Sequence, residues 1–303
     1  MIDKKTFEEE WVNKIHHGNC IDLLKELPDE CIDVVVTSPP YNLRNSLSTE
    51  LNKENRSKQP KIENKKQKEN TNEWANKLKL LNEGYDNYND CLPHDVYVKQ
   101  QRELLTQLMR LIKKDGAIFY NHKWRVLDGI LQTRSDIVQG FPVRQIIIWD
   151  RFTGITRTNR FFMPVYEVVY LITKEDFKII SDEAINYTDI WRLSIDGQNP
   201  HPAPFPTSFV HKCISSCVAK GSKKIILDPY MGSGTTAVVA ESYGCRYIGM
   251  DVSEKYIEMA NKRIEKNRVF DELKLLDKED KKAREYRYFD NKEKSLNVKK
   301  LSF

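Results

Sequence analysis

The chain has 303 residues, room for one large α/β unit or two small ones, and enough to bury a substantial core. Hydrophobic residues make up 40% and the formal net charge is +5, which admits a polyanionic partner without requiring one and leaves part of the chain outside the core. The opening MIDKKTFEEEWVNK lacks an apolar stretch of signal-peptide length and no run of about 18 apolar residues follows, so a cytoplasmic chain with no membrane partner is expected.

In chain order, the first predicted strand is Ile32–Thr37 (IDVVVT). Residues 44–82 are rich in Lys, Asn, Glu and Gln and hold few apolar side chains, so they are expected to form a mobile polar insertion. A helix is predicted over 96–113, then strands at 117–120, 145–149 and 167–173. Helix 208–220, strand 224–228, helix 235–243, strand 246–250 and helix 254–266 complete the series. The strands are continuously apolar rather than alternating, the mark of a parallel sheet covered on both faces. The fold expected is therefore a doubly wound, mostly parallel α/β sheet of Rossmann-like type. Its catalytic domain spans 1–43 and 83–267, and residues 268–303 form a charged tail with aromatics in REYRYF. Six cysteines (Cys20, Cys31, Cys91, Cys213, Cys217 and Cys245) contain no CxxC pair, so reduced thiols and no metal are expected.

Two turns carry the chemistry. In KKIILDPYMGSGTTAVVAESYGCRYIGMDVSEKY, Gly232 and Gly234 lie between a predicted strand and a predicted helix, with the small Ala237 following. Glycines there let a ligand approach the backbone, and Asp251, 19 residues after Gly232, ends the next strand where an acid would take ribose hydroxyls. A phosphate-binding P-loop is excluded because no GK[ST] follows; a nucleoside without phosphates, such as S-adenosylmethionine, fits better. A purely structural glycine turn is the alternative.

The other turn is Ser38-Pro39-Pro40-Tyr41-Asn42, directly after Ile32–Thr37. Two prolines cannot continue a strand ladder, so the carbonyls there are expected to be free to meet a ligand, beside a hydroxyl (Ser38) and an aromatic plate (Tyr41). An exocyclic base amine is a poor nucleophile. Acceptors that take both its N–H groups would aim its lone pair at an electrophilic methyl, and an aromatic face would hold the flipped base. Proline-rich turns also occur for structural reasons alone.

Taken together, TSPPYN (Thr37–Asn42) and DPYMGSGTT (Asp228–Thr236) resemble the two signature motifs of the amino-methylating DNA methyltransferases. Their order, catalytic motif first, is similar to the permuted beta group of that family. GNCIDLLKELPDECIDVVVTSPPY resembles the family's entry segment, with Asp22 at the place that contacts the cofactor adenine, and HPAPFP, beginning at His201, resembles the segment that closes over the methionine part. The resemblance, covering roughly 15–266, implies an S-adenosylmethionine-dependent methyltransferase fold with inserted DNA-recognition loops. It assigns catalysis to Ser38, Pro39, Pro40 and Tyr41. It assigns cofactor binding to Asp22, Asp228, Pro229, Tyr230, Gly232, Gly234, Thr235, Asp251 and His201. Many adenine-methylating members have Asp where this chain has Ser38. Serine and HPAPFP lean toward cytosine N4, with adenine N6 as the alternative; an RNA or protein methyltransferase, or a non-catalytic DNA-binding relative, is the further rival.

Duplex DNA is the expected partner, with a cognate restriction endonuclease implied by the family and a monomer or homodimer as the assembly. Segments 150–165 and 180–200 are candidate target-recognition regions; the first, DRFTGITRTNR onward, offers Arg151, Arg157 and Arg160 for guanine edges or phosphates. The insertion begins with Arg44 and carries ten Lys/Arg against five Asp/Glu between residues 44 and 79, so it is expected to close over DNA. His122, Lys123 and Arg125, just past a predicted strand, are expected to add phosphate contacts.

Overall fold

A computed structural model describes residues 3–42, 92–127, 130–154, 161–195 and 205–266. The insertion at 44–82, the tail after 267, and Arg44, Arg157, Arg160 and His201 lie outside the described residues. The described α-helices and strands, in order, are α1 (Lys4–Thr6), β1 (Lys14–His17), α2 (Cys20–Glu26), β2 (Ile32–Thr37), α3 (His94–Leu111), β3 (Ile112–His122), β4 (Arg125–Leu127), β5 (Ile130–Gln132) and α4 (Ser135–Val138). They continue with β6 (Val143–Asp150), β7 (Tyr166–Thr173), β8 (Ile190–Arg192), α5 (Thr207–Cys217), β9 (Ile225–Asp228), α6 (Thr235–Ser242), β10 (Arg246–Asp251) and α7 (Glu254–Glu265).

Eight strands form one sheet in the order β1-β10-β9-β2-β3-β7-β6-β8, and β4 and β5 pair as a separate hairpin. The first five of these run parallel to one another, β7 is antiparallel to both neighbours, and β8 is parallel to β6. The unbroken apolar runs are explained by two cores, one on each face. Val35, Ile118, Tyr120, Val168, Tyr170 and Ile172 pack on one side with Leu24 of α2 and Leu104 and Leu108 of α3. Their sequence neighbours Val34, Val36, Ala117, Phe119, Val169 and Leu171 pack on the other with Phe209 of α5 and Val239 of α6. Side chains alternate across a strand, so a strand covered on both faces must be apolar at every position. Each such aliphatic side chain contributes about 1.5–3 kcal/mol on burial.

One boundary is corrected. The helical period continues to Lys113 in sequence, yet α3 stops at Leu111 and Ile112 is extended, with Ile112 paired to Ile32 of β2. Buried Asp33 draws the chain over: its Oδ1 accepts from Lys113 Nζ and lies as close to Lys224 Nζ, both at 2.9 Å, while Oδ2 accepts from Ile225 N at 2.8 Å. Three partners for one buried carboxylate outweigh a single extra helical residue. Among the described residues no helix is long and apolar enough to cross a membrane.

Candidate active site

The topology brings the two sequence turns together. β2 and β9 are adjacent and parallel, with Val34 opposite Ile226 and Val35 opposite Leu227. Ser38 follows the last residue of β2 and Pro229 the last of β9, so both turns leave the same edge of the sheet on neighbouring strands. From β9 the chain winds outward through α6 to β10; from β2 it winds the opposite way to β3. That reversal opens a crevice at the carboxyl ends of the strands, where open α/β sheets take their ligands.

On the β9 side, Gly232 and Gly234 have φ of +52° and +80°, and a methyl at Gly234 would lie 2.7 Å from the Ala260 Cβ of α7. Only glycine gives the turn both that backbone and that closeness to the helix. Asp228 is buried; its Oδ1 accepts from Tyr230 N at 3.0 Å and its Oδ2 from Thr236 Oγ1 at 2.6 Å. Burial pushes its carboxyl up to about 7, against the pull of those bonds and with the nearby Asp251 adding to the rise. Asp251 ends β10, its Oδ2 accepting from Gly232 N at 2.8 Å and its Oδ1 from Ser253 N at 2.9 Å. Burial raises its pKa as well, opposed by those two bonds. The Gly18 N–H meets the Asp251 carbonyl at 3.0 Å, and this leads into α2, whose first turn carries exposed Asp22 beside the same strand end. Pro229 and Thr235 are buried within the turn, and Tyr230 is half-buried.

On the β2 side, Pro39, Pro40 and Tyr41 are buried and Ser38 is partly exposed. Ser38 Oγ lies 2.6 Å from the Tyr41 hydroxyl, which donates to Glu167 Oε2 at 2.8 Å. Asn121 Nδ2 reaches the Tyr41 hydroxyl at 2.7 Å, Glu167 Oε2 at 2.8 Å and Ser38 Oγ at 3.3 Å. Arg151 Nη1 sits 3.1 Å from Glu167 Oε1. The Tyr41 ring packs on His122 with centroids 5.0 Å apart.

Three of the turn's carbonyls are engaged, which corrects the expectation that they are all free. Tyr97 Oη donates to Pro40 O at 2.8 Å, Arg134 Nη2 to Tyr41 O at 3.2 Å, and Arg125 Nη1 to Asn42 O at 2.6 Å. Buried carbonyls without a ladder partner must find donors elsewhere, and two arginines and a tyrosine supply them. Among the described residues, the Pro39 carbonyl has no such side-chain donor.

A scan of the whole chain against known families matches residues 32–262 to the N6/N4 methyltransferase family, described as DNA methylase. The chain belongs to the DNA methylase family. This methylase is 25% identical to the type II methyltransferase M.BglII of Bacillus subtilis, over 89% of the chain and 75% of that protein. It is 24% identical to the type II methyltransferase M.HinfI of Haemophilus influenzae, over 84% of the chain and 69% of that protein. Among solved structures it resembles the cytosine-N4-specific PvuII DNA methyltransferase with a TM-score of 0.60 at 17% identity, covering 82% of the chain and 85% of that structure. A putative DNA modification methylase of Thermus thermophilus, solved with S-adenosyl-L-methionine, aligns with a TM-score of 0.55 at 18% identity, over 84% and 94%. The doubly wound methyltransferase fold expected from the sequence is the fold of these structures.

The phosphate contacts expected from His122 and Arg125 are corrected by their placement in the methylase. His122 is fully buried at the end of β3, its Nε2 2.7 Å from Tyr97 Oη. Burial, reinforced by Arg134 and Arg125, pulls its imidazole down to about 3, so it is neutral. Arg125 is buried on Asn42 O and Gln132. Lys123 is half-buried, and burial lowers its pKa. Arg151 is mostly covered, held by Glu167 and Pro164 O. In 180–200, the described part is tied into the sheet: β8 pairs with β6, and Trp191 is buried. Sequence reasoning passed over Tyr97, Asn121, Arg134 and Glu167, which hold the Ser38–Asn42 turn. Only Glu167, a lone acid opening an apolar strand, carried a signal that could have found it.

Proposed function

We propose that this methylase moves a methyl group from S-adenosyl-L-methionine to an exocyclic base amine in duplex DNA, with cytosine N4 favoured over adenine N6. The observation that carries it is the pairing of the Ser38–Tyr41 turn and the Gly232–Gly234 turn on adjacent parallel strands at a topological switch point.

The β9 side suits a phosphate-free nucleoside. No lysine or arginine lies between Asp228 and Thr236, and Asp251 accepts from backbone N–H groups, those of Gly232 and Ser253 at 2.8 and 2.9 Å, while a carboxylate's remaining lone-pair capacity suits a ribose hydroxyl. Asp251 and Asp22 would hold the nucleoside, with the Asp228–Thr235 turn beneath it, and His201 is proposed from its sequence segment alone as a further cofactor contact. When bound, the cofactor supplies an electrophilic methyl on a sulfonium. The chain's own residues do the rest: Ser38 Oγ and the Pro39 carbonyl accept the two amine N–H groups, and Tyr41 meets the base. Alignment in a closed crevice accounts for much of the rate.

Ser38 in place of an acid favours cytosine, and the PvuII enzyme, cytosine-N4-specific by its name, leans the same way. DNA is read from the β6–β7 loop, which rises from the same sheet edge with exposed Phe152, Phe162 and Met163 and, in sequence, Arg157 and Arg160. In sequence, the insertion from Arg44 onward carries an excess of cations suited to a phosphate backbone. Segments 150–165 and 180–200 are the target-recognition regions, a cognate restriction endonuclease is the partner enzyme, and the location is cytoplasmic. Incubating the protein with methyl-labelled cofactor and duplex DNA, then digesting to nucleosides, is expected to yield labelled N4-methylcytosine. N6-methyladenine would reverse the base assignment, and label on RNA alone or on nothing would overturn the reading.

A further inference from the structure

We infer that Glu167 sets the direction of the Ser38 hydroxyl, so that Ser38 meets the target amine as a hydrogen-bond acceptor. The inference rests on the methyl-transfer reading above and holds for either base. It follows from counting hydrogens around four buried or half-buried groups.

Glu167 is buried at the start of β7, with one oxygen 3.1 Å from Arg151 and the other taking Tyr41 and Asn121 at 2.8 Å each. A carboxylate paired in this way has no hydrogen to give. The Tyr41 hydroxyl must therefore donate to Glu167, committing its one hydrogen there. Its oxygen can then only accept from Ser38 Oγ, 2.6 Å away. Ser38 in turn commits its one hydrogen to Tyr41. What remains on Ser38 is lone-pair capacity, only weakly used by Asn121 at 3.3 Å, on the partly exposed side chain of the turn.

Asn121 enforces the same polarity. Its Nδ2 faces Glu167 and Tyr41, and its Oδ1 is buried without a hydrogen-bond partner. Turning the amide over would set Oδ1 against the carboxylate, acceptor against acceptor. A neutral hydroxyl, which alone could donate or accept, is thereby fixed as an acceptor toward the crevice. Glu167 is a positioning residue: it acts on the amine through Tyr41 and Ser38.

The test is a double-mutant cycle on the full chain with duplex DNA and S-adenosyl-L-methionine. E167Q keeps the shape but offers Tyr41 a donor as readily as an acceptor, so kcat is expected to fall by about ten- to a hundredfold. The cofactor Kd and the KM for DNA should move less than about twofold. Y41F breaks the relay by itself, so adding E167Q to Y41F should cost less than about a further twofold in kcat. If E167Q does not fold with Arg151 unpaired, E167Q/R151M carries the same test. Equal losses from E167Q in both backgrounds, or an unchanged kcat in E167Q alone, would overturn the inference. A wild-type chain that methylates no DNA would instead overturn the reading beneath it.

Discussion

Gly234→Ala tests how tightly the glycine turn is bound to the helix behind it. Two penalties can be worked out separately. At φ +80° an alanine occupies the left-handed region, costing about 1–2 kcal/mol. Its Cβ would also stand 2.7 Å from the Ala260 Cβ and 3.0 Å from the Ala260 Cα of α7, so the helix must move, for about 1–3 kcal/mol more. The sum, about 2–5 kcal/mol, lowers Tm by roughly 4–20 °C for a unit of this size. Gly140 is the control: its φ is +87° but an added Cβ meets nothing within 4 Å, so Gly140→Ala should show the backbone penalty alone. Urea unfolding of both variants, and of Gly234→Ala combined with Ala260→Gly, separates the parts. Measured against Ala260→Gly alone, which carries its own helix penalty, the double variant should be free of the Cβ part of the overlap cost and keep the backbone cost. Equal midpoints for the two alanine variants, or an undiminished cost of Gly234→Ala in the Ala260→Gly background, would refute the account of the turn.

Asp251→Asn keeps the shape but loses a charge that accepts from Gly232 N and faces the proposed ribose. The cofactor Kd measured by calorimetry should rise about 10- to 150-fold, from bonds worth about 1.5–3 kcal/mol. His122 is neutral in the fold down to about pH 3, whereas an ordinary histidine protonates near 6.5. Between those values the unfolded chain binds the extra proton, so this site costs stability as pH falls below 6.5, at up to about 1.4 kcal/mol per unit. Asp228 works oppositely. Its raised pKa means that the folded chain holds the extra proton between the ordinary carboxylate value of 3.8 and about 7, and stability declines as pH rises through that window. Urea midpoints at pH 5 and 7.5 should therefore differ less on the acid side in His122→Gln, and hold up better toward neutrality in Asp228→Asn, each compared with wild type. Arg134→Ala strips a charged donor from the Tyr41 carbonyl and a cation from the Tyr97 ring, and should cost about 1.5–3 kcal/mol in urea unfolding with a lower kcat.

Strand positions were legible because burial on both faces leaves an apolar run that no loop would keep: Ile32–Thr37 is β2 to the residue. β1 was not, since KIHH at a sheet edge is half-exposed and held by backbone pairing to its neighbours in β10. The end of α3 was misread because Asp33, far away in sequence, captures Lys113. The two turns could be read from their glycines and prolines, whose backbone demands are local. The groups that hold the Ser38–Asn42 turn were harder to read: Tyr97, Arg134 and Glu167 sit 57, 93 and 126 residues from the atoms they grip, and of the three only Glu167, an acid opening an apolar strand, stands out locally.

The central strand pair has a consequence for how the molecule comes into being. β2 is made early, but one of its two neighbours, β9, leaves the ribosome only after some 190 further residues, and Asp33 waits as long for Ile225. β1 waits longer still for β10. Until then one flank of the nascent sheet stays open and its apolar face uncovered, a slow and aggregation-prone arrangement. A message cut short before Asp251 would thus give no half-working product, since the crevice lacks part of its second wall until β10 arrives.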